Sequence, residues 1–219
     1  MTVINSNRQT LMRLCQILVL LVVVASAGSC RVQEYKLESG VSLNNNRNRM
    51  ETARNNEKKW AERLELSGVP NLYKVSEDLY RGAQPSAEGM RQLETLGIKT
   101  VVSLRFILSD RGKIKGTGLD YEHINMTTLY VKTSDVVRFL KIVTDRTRTP
   151  VFVHCQHGID RAGTMCAVYR MVVQGWSKEQ AIEEMTKGGF AFRSVQKRLV
   201  DSIRKLDINE IKRRTDFDE

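Results

Sequence analysis

The chain has 219 residues and a formal net charge of +10, with 41% hydrophobic and 27% charged residues. This length and composition are typical of a globular protein with one domain and short appendages. A basic surface indicates anionic partners, namely phosphorylated substrates, acidic lipid headgroups or nucleic acid. The sequence has no zinc-finger spacing and no RNA-binding aromatic motif, so nucleic acid is not expected as a partner.

Residues 1–29 have the pattern of a secretory signal peptide, because Arg8 and Arg13 precede the apolar run from Ile17 to Ala27. This run is shorter than the ~20 residues of a membrane span, and an uncleaved anchor is the alternative. Two cleavage patterns compete. Ala25-Ser26-Ala27 fits an ordinary signal peptidase site, whereas Ala27-Gly28-Ser29-Cys30 is similar to a lipobox with Ala27 in place of the usual Leu. We favour the lipobox.

A lipid on Cys30 would anchor the mature chain to a membrane. The sequence therefore predicts an exported protein of the cell envelope or periplasm, anchored through Cys30. Residues 30–66 are predicted to form a polar tether and a short amphipathic helix, with the helix at Glu57 to Leu66. Residues 67–208 form the predicted domain, and residues 209–219 form a charged, frayed tail.

The four cysteines do not indicate a disulfide framework. Cys15 lies in the predicted signal peptide and Cys30 at its border, so only Cys155 and Cys166 belong to the domain. Cys166 lies on a predicted helix. It is expected to be a buried core residue, and a thiol that forms a disulfide with Cys155 is the alternative.

Strands and helices alternate along the domain, which predicts an α/β fold with a central, mostly parallel sheet flanked by helices. Ligands of such sheets bind at the carboxyl ends of the strands. The predicted strands are Leu79–Arg81, Lys99–Leu104, Leu119–Met126 and Val151–Val153. The predicted helices begin at the caps Ser86, Ser134 and Ser177, at Ala162 after the last strand, and at Gln196; a polar loop is expected from Arg105 to Gly118. Glu179 is expected to complete a capping box with Ser177.

The segment from Val151 to Thr164 reads V-F-V-H-C-Q-H-G-I-D-R-A-G-T and carries the chemistry. A short strand leads into a loop, and a helix follows it. The backbone N–H groups of such a loop form an anion site, which the helix dipole strengthens. Cys155 at its mouth is favoured as a thiolate nucleophile, and Arg161 offers a planar fork for two phosphoryl oxygens. Gly158 and Gly163 allow close backbone approach to the phosphate.

This segment resembles the H-C-x5-R-[S/T] signature of the cysteine-based protein tyrosine and dual-specificity phosphatases, closest to their bacterial dual-specificity-like branch. The resemblance extends from about Pro70 to Leu206 and includes Leu79–Ser86 and Leu96–Arg105. It implies a phosphocysteine intermediate on Cys155, no metal and no cofactor, and a phosphorylated protein or small phosphoester as substrate. It implies that His154 supports the loop. The implied substrate-binding residues are Gln156, His157, Gly158, Ile159, Asp160 and Arg161.

The chain departs from this signature in two respects. Residues 125–133, where many relatives carry an acidic general acid, contain no Asp or Glu. Asp160 is the favoured replacement, since myotubularin-like and Sac-type phosphatases carry an Asp there; Asp135 is the alternative. Ala162 stands where the family usually has a hydroxyl that helps the thiolate leave, and Thr164 could partly replace it.

The sequence therefore predicts phosphomonoester hydrolysis on phosphotyrosine or dual-specificity protein substrates. One alternative is a phosphate-binding pseudophosphatase, or a slow phosphatase acting on non-protein esters such as phosphoinositides. A rhodanese-like sulfurtransferase also uses a loop cysteine at a helix N-terminus, but Arg161 and the H-C-x5-R match argue against it.

Overall fold

The structure of the chain is a computed structural model that describes residues 58–192 and 197–216. The predicted signal peptide, the Cys30 lipidation site and the tether up to residue 57 lie outside the described residues. No helix within the described ranges is long and apolar enough to span a membrane.

A six-stranded sheet forms the centre of the domain, in the order β1-β2-β3-β6-β4-β5. The four strands β3, β6, β4 and β5 pair in parallel, whereas β1 and β2 add antiparallel pairs at one edge. This confirms the predicted α/β fold with a mostly parallel sheet. The strands are β1 Glu62–Arg63, β2 Tyr73–Lys74, β3 Leu79–Gly82, β4 Thr100–Ser103, β5 Asp120–His123 and β6 Val151–His154.

The strand register aligns the carboxyl ends of the parallel strands at one edge of the sheet. His154 lies opposite Gly82 on one side and Ser103 on the other, and Ser103 lies opposite His123. Because His154 is the last residue of β6, the loop that begins at Cys155 leaves the sheet between two neighbouring strand ends. This is the place where α/β sheets bind their ligands.

Helices cover both faces of the sheet. Alternate residues of β6 point to opposite faces, so Val151 and Val153 pack with α3 to α7, whereas Phe152 packs with α1. Every residue of α4 except Arg161 is buried, which makes it the central helix, as predicted. The helices are α1 Ala87–Thr95, α2 Arg111–Ile114, α3 Thr133–Val143, α4 Asp160–Val172, α5 Lys178–Lys187, α6 Lys197–Lys205 and α7 Ile208–Arg214.

The prediction of a helix from Glu57 to Leu66 is wrong over the described residues. Glu62 and Arg63 form a strand that pairs with β2, and the Leu64 N–H donates to the Leu72 carbonyl. Trp60 is 42% exposed and lies on no buried helix face. Pairing with the edge of the sheet has overridden the helical pattern, so the sheet begins before the predicted domain boundary at residue 67.

The prediction of a frayed tail from residue 209 is also wrong up to Thr215. Asp207 accepts a hydrogen bond from the Glu210 N–H and caps α7, which places Ile211 in the core at 0% exposure. Ile208 packs against the same core, so two apolar residues at helical spacing hold the helix in place.

Three local expectations need correction. Thr133 already belongs to α3, which places Ser134 inside the helix and leaves Lys132 at the cap. The capping box of α5 pairs Ser177 with Gln180, and not with Glu179. The expected polar loop from Arg105 to Gly118 contains the short helix α2. In contrast, Ser86 caps α1 as predicted, by accepting a hydrogen bond from the Gly89 N–H at 3.0 Å.

Candidate active site

The loop between β6 and α4 brings the predicted site residues together at the carboxyl edge of the sheet. Cys155 follows β6 directly and is 2% exposed, while Gln156 and His157 are exposed at the surface. Gly158 is buried, and Asp160 and Arg161 form the first turn of α4. The nucleophile therefore lies at the base of the loop, beneath a rim formed by the next two residues.

The carbonyl groups of this loop are held from outside by side chains and backbone near β3. Because the C=O and N–H of one trans peptide unit point in opposite directions, the N–H groups of residues 157–160 are directed away from these donors. Residues 157–160 lead directly into α4, so we expect their N–H groups to face an anion at the helix N-terminus, where the helix dipole favours negative charge. The hydrogen bonds run from Gln84 N to Gln156 O at 3.5 Å, from Asn71 Nδ2 to His157 O at 3.1 Å, and from Arg81 Nη2 to Gly158 O at 2.7 Å and Ile159 O at 3.0 Å.

Gly158 is required where the loop meets the end of β3. Its φ is +71°, and a Cβ atom built on it would lie 2.3 Å from the Gly82 carbonyl carbon. Any side chain at this position would push the loop away from β3. Arg81, which lies below the loop, is 1% exposed and has its guanidinium stacked 3.9 Å from the centre of the Phe190 ring. We call the loop from Cys155 to Arg161 the cradle. It therefore rests on a buried cation, Arg81.

Arg161 is positioned as a phosphate ligand. Its Nη1 atom donates to the Leu104 carbonyl at 3.1 Å and lies 3.5 Å from the Met126 carbonyl, so the segments that follow β4 and β5 anchor the guanidinium. Its Nε atom is buried and has no hydrogen-bond partner in the described part of the chain. A buried donor without an acceptor costs about 1–3 kcal/mol, which a phosphoryl oxygen in the cradle would remove.

His154 is fully buried immediately before the nucleophile. Its Nδ1 atom lies 3.4 Å from the Cys155 carbonyl oxygen, and its ring stacks on Phe152 with centroids 5.7 Å apart. Its Nε2 atom lies 3.6 Å from the Asp110 carboxylate. Burial lowers the pKa of His154 to about 4, although Asp110 acts in the opposite direction. The imidazole is therefore neutral at neutral pH and supports the loop rather than carrying charge.

Asp110 is a site residue that the sequence did not reveal. Ser109-Asp110-Arg111-Gly112 reads as a polar loop, and only the tertiary structure places the Asp110 carboxylate beside His154. Burial acts to raise the pKa of the Asp110 carboxyl, but hydrogen bonds from Gln84 and Ser103 and the positive charge of Arg105 outweigh it and hold this pKa below its ordinary value.

Neither Ala162 nor the predicted supporting residue Thr164 has a free hydroxyl proton to offer the Cys155 thiolate. Thr164 donates its hydroxyl to the Asp160 carbonyl at 2.8 Å, so this proton is already used within α4. Ala162 is fully buried and offers no hydroxyl. This geometry therefore does not support Thr164 as a substitute for the hydroxyl that usually assists the leaving thiolate.

The two candidates for the general acid both lie in the first turn of a helix. Asp160 is buried at the start of α4. Asp135 is half-buried at the start of α3, and this burial raises its pKa against the effect of Lys132 and Arg138. A raised pKa helps a carboxylic acid keep the proton that a leaving group needs.

Cys166 lies within α4, just under two turns after the first residue of the helix, and is buried. Burial raises the pKa of its thiol to about 11, so it stays protonated and unreactive at neutral pH. Within the described ranges no cluster of three or more His, Cys, Asp or Glu side chains could hold a metal ion.

Exposed apolar side chains follow β4 and β5. Phe106, Ile107 and Leu108 are about half exposed or more, and Leu129 and Tyr130 are similarly exposed. The Ile107 N–H donates to the Asn125 side chain at 2.8 Å, which ties the two loops together. Since Arg161 contacts the carbonyls of Leu104 and Met126, these loops begin beside the cradle; we call the five side chains the apolar rim.

Comparisons with known proteins agree with this geometry. Residues 71–202 match the family described as DSP-PTPase phosphatase fused to NAD+ kinase. The dual specificity protein phosphatase TpbA of Pseudomonas aeruginosa (strain UCBPP-PA14) is 39% identical over 142 residues, which are 64% of this chain and 63% of the relative. The chain therefore spans just under two thirds of the length of that curated relative.

Solved structures show the same likeness. The crystal structure of P. aeruginosa TpbA superposes with a TM-score of 0.66 at 31% identity and covers 74% of this chain and 99% of TpbA. TpbA in complex with phosphotyrosine superposes with a TM-score of 0.65, again at 31% identity, over 73% of this chain and 98% of that one. The catalytic core of the PP-IP phosphatase Siw14 from S. cerevisiae shares the fold, with a TM-score of 0.58 at 23% identity over 68% of this chain and 93% of that one.

Proposed function

Because the chain belongs to the DSP-PTPase family of cysteine-dependent phosphatases, we propose that it hydrolyses phosphomonoesters through a phosphocysteine intermediate on Cys155. The observation that carries this proposal is the cradle itself. The carbonyls of residues 156–159 are drawn towards Asn71, Arg81 and Gln84, and the buried Arg161 Nε lacks an acceptor that a phosphate would supply.

The reaction proceeds in two displacements. A phosphoryl group enters the cradle, where the loop N–H groups and Arg161 bind its oxygens and stabilise the charge of the transition state. The Cys155 thiolate attacks phosphorus as the bond to the leaving oxygen breaks, and an acid gives that oxygen a proton. Water then attacks the phosphocysteine, the P–S bond breaks, and phosphate and the thiolate are released.

The first experiment measures hydrolysis of a small aryl phosphate by the wild type and by Cys155→Ser. We expect activity in the wild type and a loss of at least ~10³-fold in the variant, because the nucleophile is lost. Cys166→Ala is the matched control, since it removes a buried thiol from the same helix region. Acid quenching should trap one phosphoryl group on Cys155. Activity that survives Cys155→Ser would overturn the mechanism, and turnover of thiosulfate would indicate a sulfurtransferase instead.

The proposed substrates are proteins phosphorylated on tyrosine, with dual specificity for serine or threonine as the wider possibility. Two observations support this choice. TpbA has been crystallised with phosphotyrosine, and the apolar rim offers exposed Phe106 and Tyr130 beside the cradle, where they suit an aromatic phosphoester. A panel of phosphopeptides, phosphoinositides and inositol phosphates on the purified domain tests this. A clear preference for the inositol compounds would refute it.

We propose that turnover is slow because hydrolysis of the phosphocysteine limits the rate, so that this intermediate accumulates. Ala162 offers no hydroxyl to the leaving thiolate, and the Thr164 hydroxyl is bonded to the Asp160 carbonyl. If the second step is very slow, the protein acts as a phosphate-binding pseudophosphatase. A burst of product followed by slow steady release would support slow turnover, whereas a linear time course without a burst would contradict it.

We propose Asp160 as the general acid, since it adjoins the phosphate ligand Arg161 at the start of α4. Asp135, whose pKa is raised by burial, is the second candidate. Leaving-group dependence of the rate separates the two, because only a poor leaving group needs the proton.

We also propose export to the cell envelope with a lipid anchor on Cys30. The support for this is the sequence of residues 1–30 alone, which lie outside the described residues. The test is metabolic labelling with a radioactive fatty acid, followed by membrane fractionation of the wild type and Cys30→Ala. Label on the wild type that disappears in the variant is the expected result. Equal fractionation of both without label would refute the anchor.

A further inference from the structure

The Asp110 carboxylate is the centre of a buried hydrogen-bond network at the carboxyl edge of the sheet. Asp110 is 1% exposed and lies at the end of the loop that follows β4. Its backbone N–H donates to the Tyr121 hydroxyl at 2.9 Å, which fixes its position against β5. Its side chain accepts from Gln84 Nε2 at 2.5 Å, Arg105 Nη1 at 3.0 Å and Ser103 Oγ at 3.0 Å.

This network reaches the residues on both sides of the nucleophile. On one side, the Oδ2 atom of Asp110 lies 3.6 Å from Nε2 of His154, the residue before Cys155. On the other side, Oδ1 holds the Gln84 side chain, and the Gln84 N–H donates to the carbonyl of Gln156, the residue after Cys155. One carboxylate therefore braces the chain immediately before and immediately after the thiol.

We propose that Asp110 is a positioning residue for Cys155, acting through His154 and Gln84. This inference rests on the proposed phosphatase function for its effect on turnover, but its structural part does not depend on that function. The neutral ring has one N–H, and its two nitrogens face two acceptors, the Asp110 carboxylate 3.6 Å from Nε2 and the Cys155 carbonyl 3.4 Å from Nδ1. Because a carboxylate is the stronger acceptor, we expect the proton on Nε2. The orientation of the ring then sets the His154–Cys155 peptide at the base of the cradle.

The sign of the change in Cys155 alkylation when Asp110 is removed separates a positioning role from a purely electrostatic one. The groups that face His154 are the Asp110 carboxylate, the cations Arg105 and Lys113, and the Cys155 backbone. If Asp110 acted only as a negative charge, its removal would favour the Cys155 thiolate and speed its alkylation. If Asp110 positions the loop, its removal misaligns the cradle and slows alkylation. The two explanations predict changes of opposite sign.

The experiment compares the wild type with Asp110→Asn, which keeps the shape and one acceptor but turns the other into a donor. We expect kcat/KM to fall about 10- to 100-fold, as for a lost hydrogen bond to a charged group. We also expect iodoacetamide to alkylate Cys155 several-fold more slowly in the variant than in the wild type, with both proteins measured at the same pH. In nitrogen NMR spectra, His154 should carry its proton on Nε2 in the wild type and lose this preference in the variant.

Glu184→Gln is the matched control, because Glu184 is another buried carboxylate, paired with Arg170 away from the loop. It should lower the melting temperature but leave the alkylation rate of the folded protein unchanged. If Asp110→Asn fails to fold, Gln84→Ala cuts the arm that leads to Gln156 and should slow alkylation in the same direction. Faster or unchanged alkylation in the folded Asp110 variant, with an unchanged His154 tautomer, would overturn the proposal. Alkylation and NMR need no turnover, so an inactive wild type would refute the phosphatase function without deciding this inference.

Discussion

Acidification should destabilise the folded protein through the buried imidazole of His154. The imidazole is fully buried, and burial lowers its pKa from the ordinary value of 6.5 to about 4. Between these two values the unfolded chain binds a proton at this residue and the folded chain does not. The stabilisation is therefore complete above about pH 6.5 and is lost as the pH falls towards about 4.

The magnitude follows from the two pKa values. A pKa difference of about 2.5 units corresponds to a loss of ~3 kcal/mol of unfolding free energy, reached at a pH where His154 is protonated in both the folded and the unfolded chain. Roughly 2 kcal/mol of this should already be lost between about pH 7 and about pH 5. Asp110 contributes no change in this interval. Because its pKa is lowered, the stabilisation from Asp110 is complete above the ordinary pKa of 3.8 and is lost only as the pH falls below that value.

The assay is urea unfolding of the wild type and His154→Gln at several pH values from about 7 to about 5. Glutamine does not titrate, so the difference in unfolding free energy between the two proteins isolates the histidine. We expect this difference to shrink by about 2 kcal/mol on acidification. A difference that stays constant would show that His154 has the same protonation in both states. A difference that grows would show a charged His154 in the folded protein, and either result would refute the reasoning.

Three further predictions concern the loop and its acid. Ala162→Ser should speed hydrolysis of the trapped phosphocysteine about 10- to 100-fold by giving the thiolate a hydrogen-bond donor; rapid-quench measurement of an unchanged second step would contradict this. Gly158→Ala should lower the unfolding free energy by at least ~1–2 kcal/mol and weaken phosphate binding, because the new Cβ meets the Gly82 backbone at 2.3 Å; calorimetry and phosphate titration check both. Asp160→Asn should slow a phenyl phosphate far more than an activated aryl phosphate, since only the poor leaving group needs a proton; the same pattern in Asp135→Asn alone would move the acid role there.

The sequence was sufficient to predict the nucleophile and its helix because they are local. The strand, Cys155 and the start of α4 are contiguous, and the apolar run with Gly158 and Arg161 determines how they are joined. The α/β class followed from the alternation of strand and helix patterns, which the parallel pairing of β3, β6, β4 and β5 confirms. Hydrophobic periodicity and motif spacing predict structure well where the interacting residues are close together in the sequence.

The residues that hold the loop were not predictable, because their partners are distant in sequence. Asn71 and Arg81 bind loop carbonyls 77 to 86 residues further along the chain, and Asp110 reads as an ordinary loop acid. The edge strand at Glu62 was not predictable for the same reason, because its pairing with β2 outweighs the helical pattern of the local sequence. The helix at Ile208 was missed because its few apolar residues stand among charges, although Ile211 is in the core.

The support of the loop carbonyls from the β3 region has a consequence for the order in which the protein is built. Translation proceeds from the N-terminus, so Asn71, Arg81 and Gln84 are made well before Cys155. The central strand β6 pairs with both β3 and β4, and the cradle can form only after β6 has entered the sheet between them. Contacts of such sequence separation form late, because closing a long loop costs entropy. The nascent chain therefore carries its cysteine for some time without the cradle that would make it reactive, and the same dependence means that a peptide of the signature segment alone would not reproduce the site.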